Sequence, residues 1–194
     1  ISDFPPIKWL GVLLIIILLD FVFHFKSSQY FLKSLYSGSV PDNNVALCFD
    51  RESLRSLLLA FEKVDFIGGN FYLAVLLFLS EKTSILRSLD KLDVSCDEFK
   101  KIVEKEFEAS VKQSDKKLSR DELMNIISEL SSLAAFLANS HFQKNIDNEA
   151  LFSAVCFSDD QRVAKILDLV DVSADDIDAS WAFSRFSKTQ KGVP

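Results

Sequence analysis

Beyond residue 43 the apolar positions of the chain recur at helical spacing throughout. Leu54, Leu57, Leu58 and Phe61 fall at i, i+3, i+4 and i+7, which is one face of an amphipathic helix. Residues 70–80 (NFYLAVLLFLS) are apolar almost all round and predict a central, fully enclosed helix. Ser95-Cys-Asp-Glu98 has the form of a capping box ahead of Phe99, Ile102, Val103 and Phe107. Residues 112–118 (KQSDKKL) form a charged, solvated connector. A second capping box, Ser119-Arg-Asp-Glu122, opens a long helix through Ile126, Ile127, Leu130, Leu133, Phe136 and Leu137.

The second half repeats the first. Residues 66–77 (FIGGNFYLAVLL) align with 145–156 (NIDNEALFSAVC) when Ile67 is matched to Ile146. Further on, 89–95 (LDKLDVS) matches 167–173 (LDLVDVS) with one residue deleted, and Phe99 then falls on Ile177 and Val103 on Trp181. An Asp-Val-Ser at the same place in two four-helix units points to duplication, with each unit burying its open face against the other.

The most hydrophobic stretch is Ile7–Phe25 (IKWLGVLLIIILLDFVFHF). As a helix, its nineteen residues extend about 28 Å, close to the hydrocarbon thickness of a bilayer. Pro5 and Pro6 suit a first helical turn, and Trp9 stands where an interfacial aromatic is expected. A buried core helix or a signal peptide are the other readings. Asp20 interrupts the apolar run, but no small-residue cleavage site follows. Lys26 and Lys33 follow the span, whereas Lys8 and Asp3 precede it, a bias that favours a cytoplasmic C-terminal side. Residues 27–42 read as a juxtamembrane linker.

Composition agrees with this division. Of 194 residues, 5 are Gly and 4 Pro, too few for the turns of a β-sandwich or barrel. Eighteen Phe and a mean hydropathy of +0.16 suit an all-α core with a lipid-embedded stretch. A net charge of −6 argues against a nucleic-acid surface. Cys48, Cys96 and Cys156 are odd in number and share no CxxC spacing, which fits a reducing compartment.

The repeat resembles the N-terminal domain of Clp AAA+ unfoldases (the ClpA, ClpB and ClpC class). In that family each repeat carries a pattern like Tyr-Ile-Gly-Thr-Glu-His-Leu-Leu-Leu-Ala-Leu-Leu, followed by a Leu-Gly-Val-Asp element. Here 66–77 carries the first part and Leu92-Asp-Val-Ser95 the second, while 49–55 (FDRESLR) and 118–123 (LSRDEL) look like the opening helices. The resemblance covers about residues 43–186 and rests on moderately specific apolar patterns. It departs from the family where the Glu-His pair becomes Asn70-Phe71 in repeat one and Glu149-Ala150 in repeat two.

The resemblance implies a domain that recognises unfolded substrates or adaptors for an ATP-dependent unfoldase active in quality control and proteolysis. It also implies that ATP and magnesium, and any hexamer, belong to a downstream ATPase module. In some relatives the Glu of the pair helps bind phosphorylated arginine. Only Glu149 of the two matching positions retains a carboxylate, so Glu149 is expected to be a weak site and Asn70 none, because Asn offers one neutral acceptor in place of a charged fork.

The residues give no sign of catalysis. Gly11, Gly38, Gly68, Gly69 and Gly192 head no phosphate loop, there is no GxSxG elbow, and His24 and His141 belong to no HExxH. No cysteine has zinc spacing. His141 reads as a loop residue. Asp159-Asp160 and Asp175-Asp176 stand at helix starts, where capping explains them. Phe49, Phe142 and Trp181 are the candidates for an exposed apolar patch, against core packing as the plainer role.

The expectation is therefore all-α. A membrane segment (1–26) and linker (27–42) lead into a pseudo-twofold, eight-helix domain (43–186; repeats 43–110 and 118–186), and 187–194 open a further linker. The domain faces the cytoplasm from the inner membrane, with no cofactor of its own. The alternative is a free-standing membrane-anchored interaction protein of an envelope or secretion assembly.

Overall fold

A computed structural model describes residues 48–113 and 117–190; the expected membrane segment and its linker lie outside them. Among the described residues the chain is all-α, with eight helices and a single isolated parallel bridge, Phe49 to Ile146. No helix among them is long and apolar enough to cross a membrane. In chain order the helices are α1 Arg51–Ile67, α2 Phe71–Leu79, α3 Thr83–Asp90, α4 Cys96–Gln113, α5 Arg120–Ser140, α6 Asn148–Cys156, α7 Gln161–Leu169 and α8 Ala174–Gln190. Residues 187–190, expected to begin a linker, continue α8.

Side chains that serve the backbone define most of the helix starts. Asp50 accepts from Ser53 N at 2.7 Å, and Asn70 accepts from Leu73 N at 3.0 Å. Asp147 accepts from Ala150 N at 2.9 Å, and Asp160 takes the N–H groups of both Arg162 and Val163. Each removes an N–H that the first turn would otherwise leave unbonded. The Ser119–Glu122 capping box is complete in both directions. Ser95 makes only a long bond, 3.4 Å from Glu98 N. Ser173 and Asp176 form a further reciprocal pair at the start of α8.

The helices α2 and α6 form the centre. Leu73, Ala74, Val75, Leu76 and Leu79 of α2 are buried, as are Ala150 to Cys156 of α6. Each fully buried Leu or Phe contributes about 1.5–3 kcal/mol. The two helices touch each other, α1 packs on α2, and α5 packs on α6. Likewise α2–α4 is matched by α6–α8, α3–α6 by α7–α2, and α3–α8 by α7–α4.

The outer helices bury most of the expected apolar positions and add small ones: Leu57 of α1 and Leu130 and Leu137 of α5 are buried, and Leu54, Phe61, Ile126, Ile127 and Leu133 pack on the core. In α1 the inward positions are Ser53, Ser56, Leu57, Ala60 and Val64, while Leu58 is exposed. In α5 they include Ser131, Ala134, Ala135 and Ala138, while Phe136 is exposed. Small side chains on these faces let α1 and α5 approach the bulky α2 and α6 closely, so the seams interdigitate.

Candidate functional site

Asn70 and Glu149 both lie at the starts of the central helices, but not at equivalent positions. Asn70 is the N-cap of α2, and the N-cap of α6 is Asp147. Aligned on their caps, the two nine-residue helices match Asn70 with Asp147 and Tyr72 with Glu149. This is two residues from the register set by matching Ile67 to Ile146, and the burial patterns of the two first turns agree with it.

Both functions of the Asn70 amide are engaged. Its Oδ1 caps α2, and its Nδ2 donates to Asp160 Oδ2 at 2.6 Å, joining the cap of α2 to the cap of α7. Its backbone N–H donates to Ser110 Oγ at 3.0 Å. Asn70 is thus a clasp between α2, α4 and α7. Glu149 is half-buried in the first turn of α6, where a carboxylate complements the helix dipole.

Beside this clasp is a small cavity of about 200 Å³ lined by Tyr72, Leu130, Leu133, Phe157, Ser158 and the acidic Glu129 and Asp159. Burial, and then Glu129, Asp160 and Asp159, push the Tyr72 phenol up from its usual range. A larger groove of about 460 Å³ runs between the end of α1 and α4. Ile67, Leu77, Phe107 and Val111 line it, with Lys63, Lys112, Glu104 and Glu108 at its edges. The Lys63 ammonium stands 5.2 Å from the Phe107 ring centre and 5.8 Å from that of Phe78. Exposed Phe66 lies next to this groove in sequence, in the last turn of α1.

Sequence reasoning missed one cluster. His141, at the C-cap of α5, places Nε2 3.0 Å from Asp178 Oδ1, and its ring lies 4.2 Å from that of Trp181. Asp178 and Trp181 share a face of α8 at i and i+3, which was the available signal. Trp181 and Phe49 are core residues, whereas Phe142 is 90% exposed. Asp160 is a cap, and Asp176 in the first turn of α8 accepts back from the Ser173 N–H, roles their positions at helix starts implied. Among the described residues no group of three or more His, Cys, Asp or Glu is placed to hold a metal.

No known protein family's sequence description matches the chain, and no curated protein matches it. A solved structure from "Preliminary structural investigations of a malarial protein secretion system" is similar in fold, with a TM-score of 0.58 at 19% identity. The likeness covers 73% of this chain and 97% of that one. At that identity it speaks for the fold alone.

Proposed function

We propose that the chain is the substrate- or adaptor-recognition part of a membrane-anchored Clp-type protein unfoldase, built from two duplicated four-helix repeats. The observation that carries this reading is the mirrored packing. The main contacts of α1–α4, within their own unit and with the opposite one, have counterparts in α5–α8. The joints repeat as well. Asp93 and Asp171 both take positive φ, 57° and 54°, directly before the Val-Ser that leads into α4 and α8. Val94 N bonds to Leu89 O, and Val172 N to Leu167 O, the same closing turn in each half.

The apolar groove at Ile67, edged by Lys63, Lys112, Glu104 and Glu108, fits the docking of an extended segment with apolar side chains. Residues 7–25 anchor the chain in the inner membrane, and the helical domain faces the cytoplasm. ATP hydrolysis belongs to a module outside this sequence.

Fluorescence anisotropy with reduced, unfolded casein and with a compact folded control protein tests the reading. Preferential, saturable binding of casein by the chain supports it. Equal binding of both proteins would refute a recognition role. Titration with free phosphoarginine, followed through amide shifts of the first turn of α6, tests Glu149, where only weak binding is expected.

A further inference from the structure

The loop after α5 carries the most exposed aromatic residue described. Phe142 is 90% exposed and has φ +57°, in the left-handed region. Its position explains the backbone: Phe142 N bonds to Asn139 O at 3.0 Å and Gln143 N to Ala138 O at 2.8 Å, which is the closing motif of a helix C-terminus. That position normally takes Gly or Asn. Asp93 and Asp171, at the corresponding ends of α3 and α7, are short polar residues that tolerate it. A benzyl group held against backbone preference and turned wholly into solvent calls for a use outside the domain.

The neighbourhood of the loop indicates the use. Four residues on, Ile146 N bonds to Cys48 O at 2.7 Å, and Ile146 O accepts from Asp50 N at 2.9 Å. Ser53 Oγ donates to the same Ile146 carbonyl at 2.7 Å. The loop is therefore stitched to the place where the chain enters the domain from residues 1–47. Phe142 lies within ~14 Å of Ile146 by chain length. Residues 26–47 can extend at most ~75 Å between the apolar stretch and Cys48. A domain tethered there has its entry face, and Phe142 with it, at high effective concentration against the bilayer.

We propose that Phe142 is a membrane foot: its ring inserts into the lipid–water interface and sets which face of the domain is turned to the bilayer. The inference rests on residues 7–25 being embedded in the membrane, and its test separates the two claims.

The full chain is reconstituted in phosphatidylcholine vesicles with and without lipids brominated near the headgroup end of the acyl chain. In the unaltered chain Trp9 reports on the anchor, because Trp181 is buried in the core. In a Trp9→Phe background, Phe142→Trp then reports on the foot, and Phe66→Trp serves as control. Phe66 is 81% exposed but in the last turn of α1, whose length puts it ~22 Å from the entry point.

Loss of indole emission in the Phe142→Trp chain, with little loss in the Phe66→Trp chain, is the expected result. No quenching in the Phe142→Trp chain, where Trp9 of the unaltered chain is quenched, would overturn the foot while leaving the anchor standing. Equal quenching in the two variants would overturn the preferred face. Failure of Trp9 itself to respond would remove the anchor and the foot together.

Discussion

Replacing Gly69 by Ala is the sharpest test of how the first unit is closed. Gly69 has φ +100°, and a Cβ there would lie 2.8 Å from Val111 Cγ2 and 3.0 Å from Ser110 Oγ. The clash falls on α4, next to the Asn70 N–H to Ser110 bond. The unfavourable φ contributes about 1–2 kcal/mol and overpacking about 1–3, against roughly 0.4–1 returned by the stiffer unfolded chain. The net expectation is a loss of about 2–4 kcal/mol, a large part of a typical total of about 5–15. Gly68→Ala is the control: φ is also positive, +81°, but the nearest atom is Lys117 Cγ at 3.7 Å. Its φ +81° and ψ −165° lie where almost only Gly is found, so it carries a backbone strain of about 1–3 kcal/mol without the collision. Urea unfolding followed by far-UV circular dichroism reads both variants, with the m-value unchanged. A cost at 69 that Val111→Ala does not relieve in a double-mutant cycle would refute the close approach of α4 as the cause.

Asn70→Asp keeps a good capping residue but sets two carboxylates face to face across the 2.6 Å contact with Asp160. It should destabilise by between about 1 and 4 kcal/mol at neutral pH, with the penalty relieved in acid or by Asp160→Asn in a double-mutant cycle. Hydrogen bonds from the Ser173 hydroxyl and backbone N–H hold the Asp176 carboxyl below its usual range. Its stabilising contribution is therefore present above the unfolded carboxyl pKa and lost as pH falls through the lower folded value. Ser173→Ala should lower stability most at neutral pH, with the gap to the parent narrowing in strong acid to the loss of the Asp176 N–H to Ser173 Oγ cap, which does not depend on the carboxylate. Burial pushes the Cys48 thiol up to about 12 and raises that of Cys156 further, while Cys96 is only partly buried. Colorimetric thiol titration at pH 8 should find no more than one reactive cysteine in the folded chain and three in denaturant; rapid reaction of all three when folded would contradict the packing at 48 and 156.

Much of the fold was legible because helix starts are local chemistry. Asp50, Asn70, Ser119 and Asp160 precede their helices in sequence, and their short side chains bond only a few residues ahead. The enclosed run at 71–79 was equally plain, since a helix apolar on all sides has nowhere to go but the centre. The inward faces of α1 and α5 were legible at Leu57, Leu130 and Leu137 but not at their small residues. Packing there is governed by Ser56, Ala60, Ala134 and Ala138, whose smallness matters more than their hydrophobicity, while Leu58 and Phe136 are left outside. The repeat register slipped for a related reason. Ile67 and Ile146 look alike but differ in role: Ile67 ends α1 and is exposed, whereas Ile146 is fully buried and carries the bridge to Phe49. Matching caps rather than look-alike apolar residues corrects it. The His141–Asp178–Trp181 cluster joins two helices far apart in sequence, and only the fold brings them together.

The corrected register also changes what the repeat says about recognition. With Asn70 paired to Asp147, both cap positions serve the backbone, and Asn70 additionally ties its unit to the other through Asp160. A second tie between units runs from Glu106 of α4 to Lys165 and Arg162 of α7. A third is the pairing of Cys48 and Asp50 with Ile146. All three cross between the halves, and α2 packs on α6 between them, so a single half would expose the apolar side of its central helix and lose its polar clasps together. Neither unit is therefore expected to persist alone, and a site at the start of a central helix would have to compete with the bonds that hold the halves together. Binding is better sought among side chains that take no part in joining the halves. Those are found in the α1–α4 groove around Ile67 and Val111.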